Sequence, residues 1–191
     1  MKIILASGSP RRAELLTRIG LKFEVIRPLQ DEISHKTHPG EYVEELASQK
    51  SSEVELKVSD PQSLIIASDT IVWFENKILE KPNSKKGAIE MLTSMSGSSH
   101  QVYTAVSCRY QGEEMSFYET THVEFHSLSQ AFIERYVDTG EPMDKAGSYG
   151  IQDMGQVLVK GIEGNFANVM GFPTSRFYLE LNKWLGDKSP I

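Results

Sequence analysis

The chain has 191 residues, 39% hydrophobic and 24% charged, with a formal net charge of -6 and one cysteine, Cys108. That length supports a single domain with a sizeable core, and the acidic balance argues against general binding to nucleic acid or an anionic membrane while leaving room for a local basic pocket. A lone cysteine excludes an intrachain disulfide and suits a reducing compartment; with no long apolar run, the expectation is a cytoplasmic protein whose partner is a small anion.

Ile3-Ile4-Leu5-Ala6 reads as a short strand that breaks into Ser7-Gly8-Ser9-Pro10-Arg11-Arg12, after which a helical pattern runs to Gly20. Ser9 suits the N-cap and Pro10 the first helical position, where a missing N–H is harmless. Two arginines then occupy a first turn that usually carries acid, because the free N–H groups there are partly positive. Those N–H groups, two hydroxyls, a glycine and two guanidinium forks describe a phosphate cradle. An ordinary capped surface helix is the other reading, and this stretch alone does not separate the two.

Lys22 to Ile26 alternates like a half-buried strand, and Asp31-Glu32 follow in a polar stretch. Glu41 to Val58 reads as a helix with Val43, Leu46, Ala47 and Val54 on one stripe; Lys50 falls on that stripe, either facing inward or snorkelling its ammonium to water. Leu64 to Ala67 and Ile71 to Phe74 would form one long strand interrupted by Ser68-Asp69-Thr70. A carboxylate placed there needs a cation, a metal or several donors, since burying an unpaired charge costs several kcal/mol as an order of magnitude.

Glu75-Asn76-Lys77 reads as a hairpin turn leading to Ile78-Leu79 and Glu80-Lys81-Pro82, with a helix capped by Asn83 and ended by Gly97. Gln101 to Tyr110 and Met115 to Phe125 make a hairpin through Gln111-Gly112-Glu113. On its second strand His122, Glu124 and His126 share a face, which alternation explains as solvated without invoking a metal. Cys108 reads as structural. Ser129 caps the next helix. Glu141 to Gly155 is irregular and dense in functional groups, including Asp144, Lys145, Tyr149, Gln152 and Asp153, as loops that carry sites often are. Val157 to Val159 is expected as a strand, Gly161 to Asn165 as a turn, and Thr174 as the cap of a final helix.

Glu32 and Asp69 can hold Mg²⁺ or Mn²⁺, with water and phosphate oxygens completing the shell, while Arg12, Lys50 and Lys81 stabilise developing charge. The ensemble suits hydrolysis of a phosphoanhydride. The Gly-x-x-x-x-Gly-Lys-Ser/Thr loop of P-loop NTPases is absent from the sequence.

Five blocks carry a resemblance: Ser7 to Arg12, Ser68-Asp69-Thr70, Leu79-Glu80-Lys81-Pro82, Asp144 to Gln152, and Val169-Met170-Gly171-Phe172-Pro173. In order over nearly the whole chain they resemble the Maf family of nucleotide pyrophosphatases. The resemblance implies a Maf/Ham1 (ITPase)-like α/β fold over residues 1–191: a mixed, twisted sheet flanked by helices, with two lobes around a central active-site cleft. It implies metal-dependent cleavage of dTTP and UTP to the monophosphate and pyrophosphate, and allows a homodimer. On that resemblance Asp69 accepts the proton and Arg11, Thr70 and Gln152 bear on substrate choice; the residues' own chemistry gives the metal to Glu32 and Asp69, assistance in catalysis to Lys50 and Lys81, and substrate phosphates to Ser7 and Arg12. An amide at 152 suits a pyrimidine, since it can donate to a ring oxygen and accept from N3–H; Asp153 stands where the family usually has glycine. A nucleotide sensor linked to septum formation, without turnover, is the alternative, and a phosphatase releasing orthophosphate is a second.

Overall fold

A computed structural model of the chain describes residues 1–58 and 60–191. Its elements run β1 (Lys2–Ala6), α1 (Pro10–Arg18), β2 (Glu24–Val25), α2 (Pro39–Lys57), β3 (Ser63–Phe74), β4 (Lys77–Leu79), α3 (Lys85–Met95), β5 (Ser99–Tyr110), β6 (Glu113–Phe125), α4 (Gln130–Asp138), β7 (Val159–Glu163), α5 (Phe166–Val169) and α6 (Thr174–Leu185), with 3-10 turns between α4 and β7 and after α6. The strands form one mixed sheet in the order β2-β1-β3-β5-β6-β7, with β4 paired to β3. The chain divides into two compact units, Met1–Asp69 with Thr104–Glu119 and Gly171–Ile191, and Thr70–Tyr103 with Thr120–Met170.

In the first unit β1 runs parallel to β2 and to β3, with Ile3 to Ala6 opposite Leu64 to Ala67. Parallel strands covered on both faces read as unbroken apolar runs, and Ile4, Leu5, Ala6, Leu64, Ile66 and Ala67 are fully buried. Val54 of α2 packs with Ile4, Ala6, Ile65 and Ala67. In the second unit β3 turns back through Glu75 and Asn76, both at positive φ, to pair antiparallel with β4. That is the backbone a two-residue hairpin favours. Val72, Leu92, Met95, Phe125, Ile133, Tyr136 and Tyr149 belong to its core.

Several expected boundaries moved. Only Glu24 and Val25 pair as β2, and both are exposed, because a short edge strand with one neighbour buries neither face. α2 starts at Pro39 rather than Glu41: His38 Nδ1 accepts the Gly40 N–H at 3.2 Å and the proline fits the first turn. Ser84, not Asn83, caps α3, its Oγ accepting the Gly87 N–H at 3.1 Å. Residues 153–158 coil into a 3-10 turn, and the strand lies later, at Val159–Glu163, where mostly exposed residues hide it from alternation. Pro173 occupies the N-cap of α6, so Thr174 is helical rather than capping. Ser9 does hold the N-cap of α1, yet its hydroxyl makes no capping bond to the described residues. The polar face of β6 is solvated as expected, with Glu124 paired to Lys160 at 2.7 Å and His122 3.3 Å from the Gln101 amide.

Candidate functional site

The parallel register of β1 and β3 sets Ala6 opposite Ala67, so the chain leaves β1 at Ser7 beside the point where β3 reaches Ser68 and Asp69. Neighbouring strands lie about 4.8 Å apart; residues 61 positions apart in the sequence thereby become neighbours. Buried Ser7 accepts the Ser9 N–H at 3.1 Å and a guanidinium N–H of Arg12 at 3.3 Å. Arg12 donates a second bond from Nε to the Gly171 carbonyl at 3.0 Å, and the buried Ser68 hydroxyl donates to that same oxygen at 3.1 Å. Gly171 sits at φ +106°, a backbone that side-chain-bearing residues rarely adopt. It ties the turn after β1 to β3, a role no sequence pattern announced.

Lys50 resolves its two readings. It faces inward from α2, and its ammonium donates to Asp69 Oδ1 and lies 3.7 Å from Glu32 Oε2. The three side chains are only 14%, 14% and 22% exposed for Lys50, Asp69 and Glu32. Burial pushes the Glu32 carboxyl above its ordinary value; the Lys50 ammonium opposes that rise and the negative charge of Asp69 adds to it. Burial also lowers the pKa of the Arg12 guanidinium, against the attraction of Asp69 and Glu32 and with the repulsion of Arg11. Ser7, Arg11, Arg12, Glu32, Lys50 and Asp69 thus share one part of the first unit and, for the charged groups, one field. Two carboxylates facing one ammonium are hard oxygen donors of the kind Mg²⁺ and Mn²⁺ take. Among the described residues no group of three or more His, Cys, Asp or Glu could hold a metal ion, so such an ion would draw its remaining ligands from water or phosphate.

The other expected residues lie in the second unit. Thr70 follows Asp69 on β3 and, by strand alternation, points to the opposite face. Lys81 is exposed just beyond β4. Gln152 is half-buried in the irregular loop, and its Oε1 is a buried acceptor without a partner among the described residues.

That loop is held by groups sequence reasoning did not single out. The Glu141 carboxylate accepts the Tyr136 hydroxyl at 3.0 Å and the N–H groups of Met154 and Gly155 at 3.3 and 3.2 Å. Tyr136 Oη in turn accepts the Gly150 N–H at 3.3 Å. The chain closes so tightly here that a Cβ on Gly155 would stand 2.0 Å from the Gly150 carbonyl oxygen. Tyr149 pairs with His100 at 2.7 Å, and both rings pack edge-on against Phe125. Burial takes the His100 pKa down to about 4 and raises those of the Tyr136 and Tyr149 hydroxyls. Only the position of Glu141 at the head of the glycine-rich block hinted at this network.

Burial likewise raises the Cys108 thiol, so it is a core residue and not a nucleophile.

The mixed sheet flanked by helices, with a polar cluster where a strand opens into a helix, is an α/β fold similar to that of Ham1 proteins. A HAM1 protein from Coxiella burnetii matches the fold with a TM-score of 0.51 over 96% of this chain and 99% of its own, at 12% identity. The family described as Maf-like protein matches residues 2–184, and the chain belongs to it. A dTTP/UTP pyrophosphatase of Bacillus anthracis is 45% identical over 184 residues, 96% of this chain and 95% of that protein. One from Carboxydothermus hydrogenoformans is 45% identical over 186 residues, 96% and 99%.

Proposed function

We propose that the chain is a metal-dependent nucleoside triphosphate pyrophosphatase acting on dTTP and UTP, in clearance of the nucleotide pool. One observation carries the reading: Arg12, Glu32, Lys50 and Asp69 converge in a chain whose relatives at 45% identity bear that name. Ser7, Arg12 and the N–H groups of the first turn of α1 hold the phosphates. Glu32 and Asp69 would hold Mg²⁺ or Mn²⁺, which when bound offsets phosphate charge and acidifies a water. Asp69, oriented by the Lys50 ammonium, takes the proton of the water that attacks the α-phosphorus. The bond from that phosphorus to the bridging oxygen breaks, and pyrophosphate leaves with the electron pair. Lys50, Lys81 and Arg12 stabilise the charge that develops. Arg11, Thr70 and Gln152 choose the nucleotide, and the unpartnered Gln152 Oε1 suits acceptance of N3–H from uracil or thymine.

A nucleotide panel with Mg²⁺, Mn²⁺ or chelator, reading pyrophosphate and orthophosphate separately, tests this. Pyrophosphate from dTTP and UTP that vanishes with chelator is the expected result. Orthophosphate alone would make the chain a phosphatase, and tight dTTP binding with no product over hours would make it a sensor.

A further inference from the structure

Glu32 lies in a segment, residues 26–38, that has no regular secondary structure, yet its carboxylate must meet Lys50 and Asp69 within a few tenths of an ångström to be of use. Apolar packing holds only the segment's start, where Ile26 packs against Ile4, Ala6, Val54, Ile65 and Ala67; on either side of Glu32, Leu29 and Ile33 are 82% and 65% exposed. An open cavity of about 350 Å³ is lined jointly by Gln30, Asp31 and Glu32 and by Ser48, Ser52 and Leu56 of α2, so the segment is not seated on packed side chains. It is held by polar bonds from one stripe of that helix. Glu45, Gln49 and Glu53 recur every four residues and therefore share a face. Glu53 accepts the N–H groups of Leu29 and Gln30 at 2.8 and 3.2 Å. Gln49 takes both backbone groups of Ile33, accepting its N–H at 3.0 Å and donating to its carbonyl at 2.7 Å. Glu45 accepts the Ser34 hydroxyl at 2.5 Å. Glu32 is thus suspended between two anchored points, while Lys50, one residue past Gln49, reaches it from the same helix.

We infer that Gln49 and Glu53 are positioning residues that set the divalent-cation affinity of the Glu32–Asp69 pair by clamping the chain on either side of Glu32. Their function is separate from pairing charge with the cation, since neither carries a bond to Asp69 or Lys50 among those the structure shows. Lys57 and the two backbone N–H groups keep the Glu53 carboxyl below the usual carboxylate range, so it remains an acceptor as the pH falls. A single amide on Gln49 satisfies both a donor and an acceptor of one residue, which neither alanine nor glutamate reproduces. This inference rests on the metal reading given above.

The test uses the full chain and Mn²⁺ alone, with the dissociation constant read from the electron paramagnetic resonance signal of free Mn²⁺ and amide exchange followed over residues 29–34. Gln49→Ala should raise the Mn²⁺ dissociation constant about tenfold, the lower end of what loss of a supporting partner does to metal affinity. Exchange at 29–34 should speed up, and turnover should return at high Mn²⁺. Glu53→Gln should act in the same direction and carries the test should Gln49→Ala not fold. In the double variant Glu32→Gln/Gln49→Ala, affinity should fall no further than in Glu32→Gln, because the clamp acts through Glu32. If Glu32→Gln itself leaves Mn²⁺ binding unchanged, the metal reading fails. If Glu32→Gln weakens binding while Gln49→Ala and Glu53→Gln leave it within twofold, or leave exchange at 29–34 unchanged, the clamp fails and the metal reading stands.

Discussion

The polar cluster of the first unit and that of the second are built on opposite principles. Around Asp69, charges of both signs are crowded into half-buried positions: Lys50 serves two carboxylates at once, and Glu32 is held above its ordinary pKa by burial and by Asp69. Around Glu141, in contrast, one carboxylate is saturated by a hydroxyl and two backbone N–H groups, and His100 is neutral and paired with Tyr149. Half-compensated charge is poor for stability and available to a charged ligand. A saturated carboxylate stiffens the loop it holds and has little left to offer a substrate. Substitutions in the first cluster should therefore tell on rate, and those in the second on stability.

The largest effect expected is on turnover. Asp69→Asn should lower kcat by about 10³, roughly 4 kcal/mol in the barrier, with the melting temperature shifted by only a few degrees. Steady-state pyrophosphate release with Mg²⁺ measures it, and near-wild-type turnover would remove Asp69 as the base.

Next comes the acid limb of stability, which belongs to the second cluster. His100 titrates near 4 in the folded chain against 6.5 in a free histidine, because burial disfavours its charged form. The unfolded chain therefore takes up the proton first. The stabilisation is complete above pH 6.5 and is lost as the pH falls towards 4, by up to about 3 kcal/mol. Urea unfolding at pH 7 and 4.5 should show the wild type losing more stability between the two than His100→Asn; equal losses would place the acid sensitivity elsewhere.

The smallest effect sharpens the comparison most. Glu32 has a raised folded pKa, so the folded chain binds that proton more tightly than the unfolded one, and stability declines as the pH rises past the unfolded value near 4.5. Glu32→Gln should then lose activity and gain thermal stability at pH 7, by about 2 °C, the shift that a fraction of a kcal/mol gives a chain of this size. The gain should disappear at pH 4. A lower melting temperature at pH 7 would mean that the cluster is compensated after all.

Much of this was legible in the residues. Apolar runs at 3–6 and 64–67 marked the buried strands, Ser68-Asp69-Thr70 inside apolar sequence marked a carboxylate in need of a partner, and Lys50 on a helical stripe marked a charge that could face inward or snorkel to water. Weak periodicity misled where a strand was short or exposed, at 22–26 and 157–163, because alternation reports burial and these segments have little. Gln49 left no comparable sign, and the position of Glu141 and the block around Gly171 showed none of the bonds those residues make. Each acts through bonds to backbone groups, and a backbone N–H or carbonyl is the same at every residue.

By itself, then, the sequence determined which side chains carry charge into apolar surroundings, and so which chemistry the protein must contain; hydrophobic spacing and burial cost are local and readable in one dimension. Only the tertiary structure decided that Lys50 serves both Glu32 and Asp69, that the Gly171 carbonyl gathers Arg12 and Ser68, and that one stripe of α2 suspends Glu32. Those pairings depend on strand register and helix rotation, which place residues far apart in sequence within a hydrogen bond of one another.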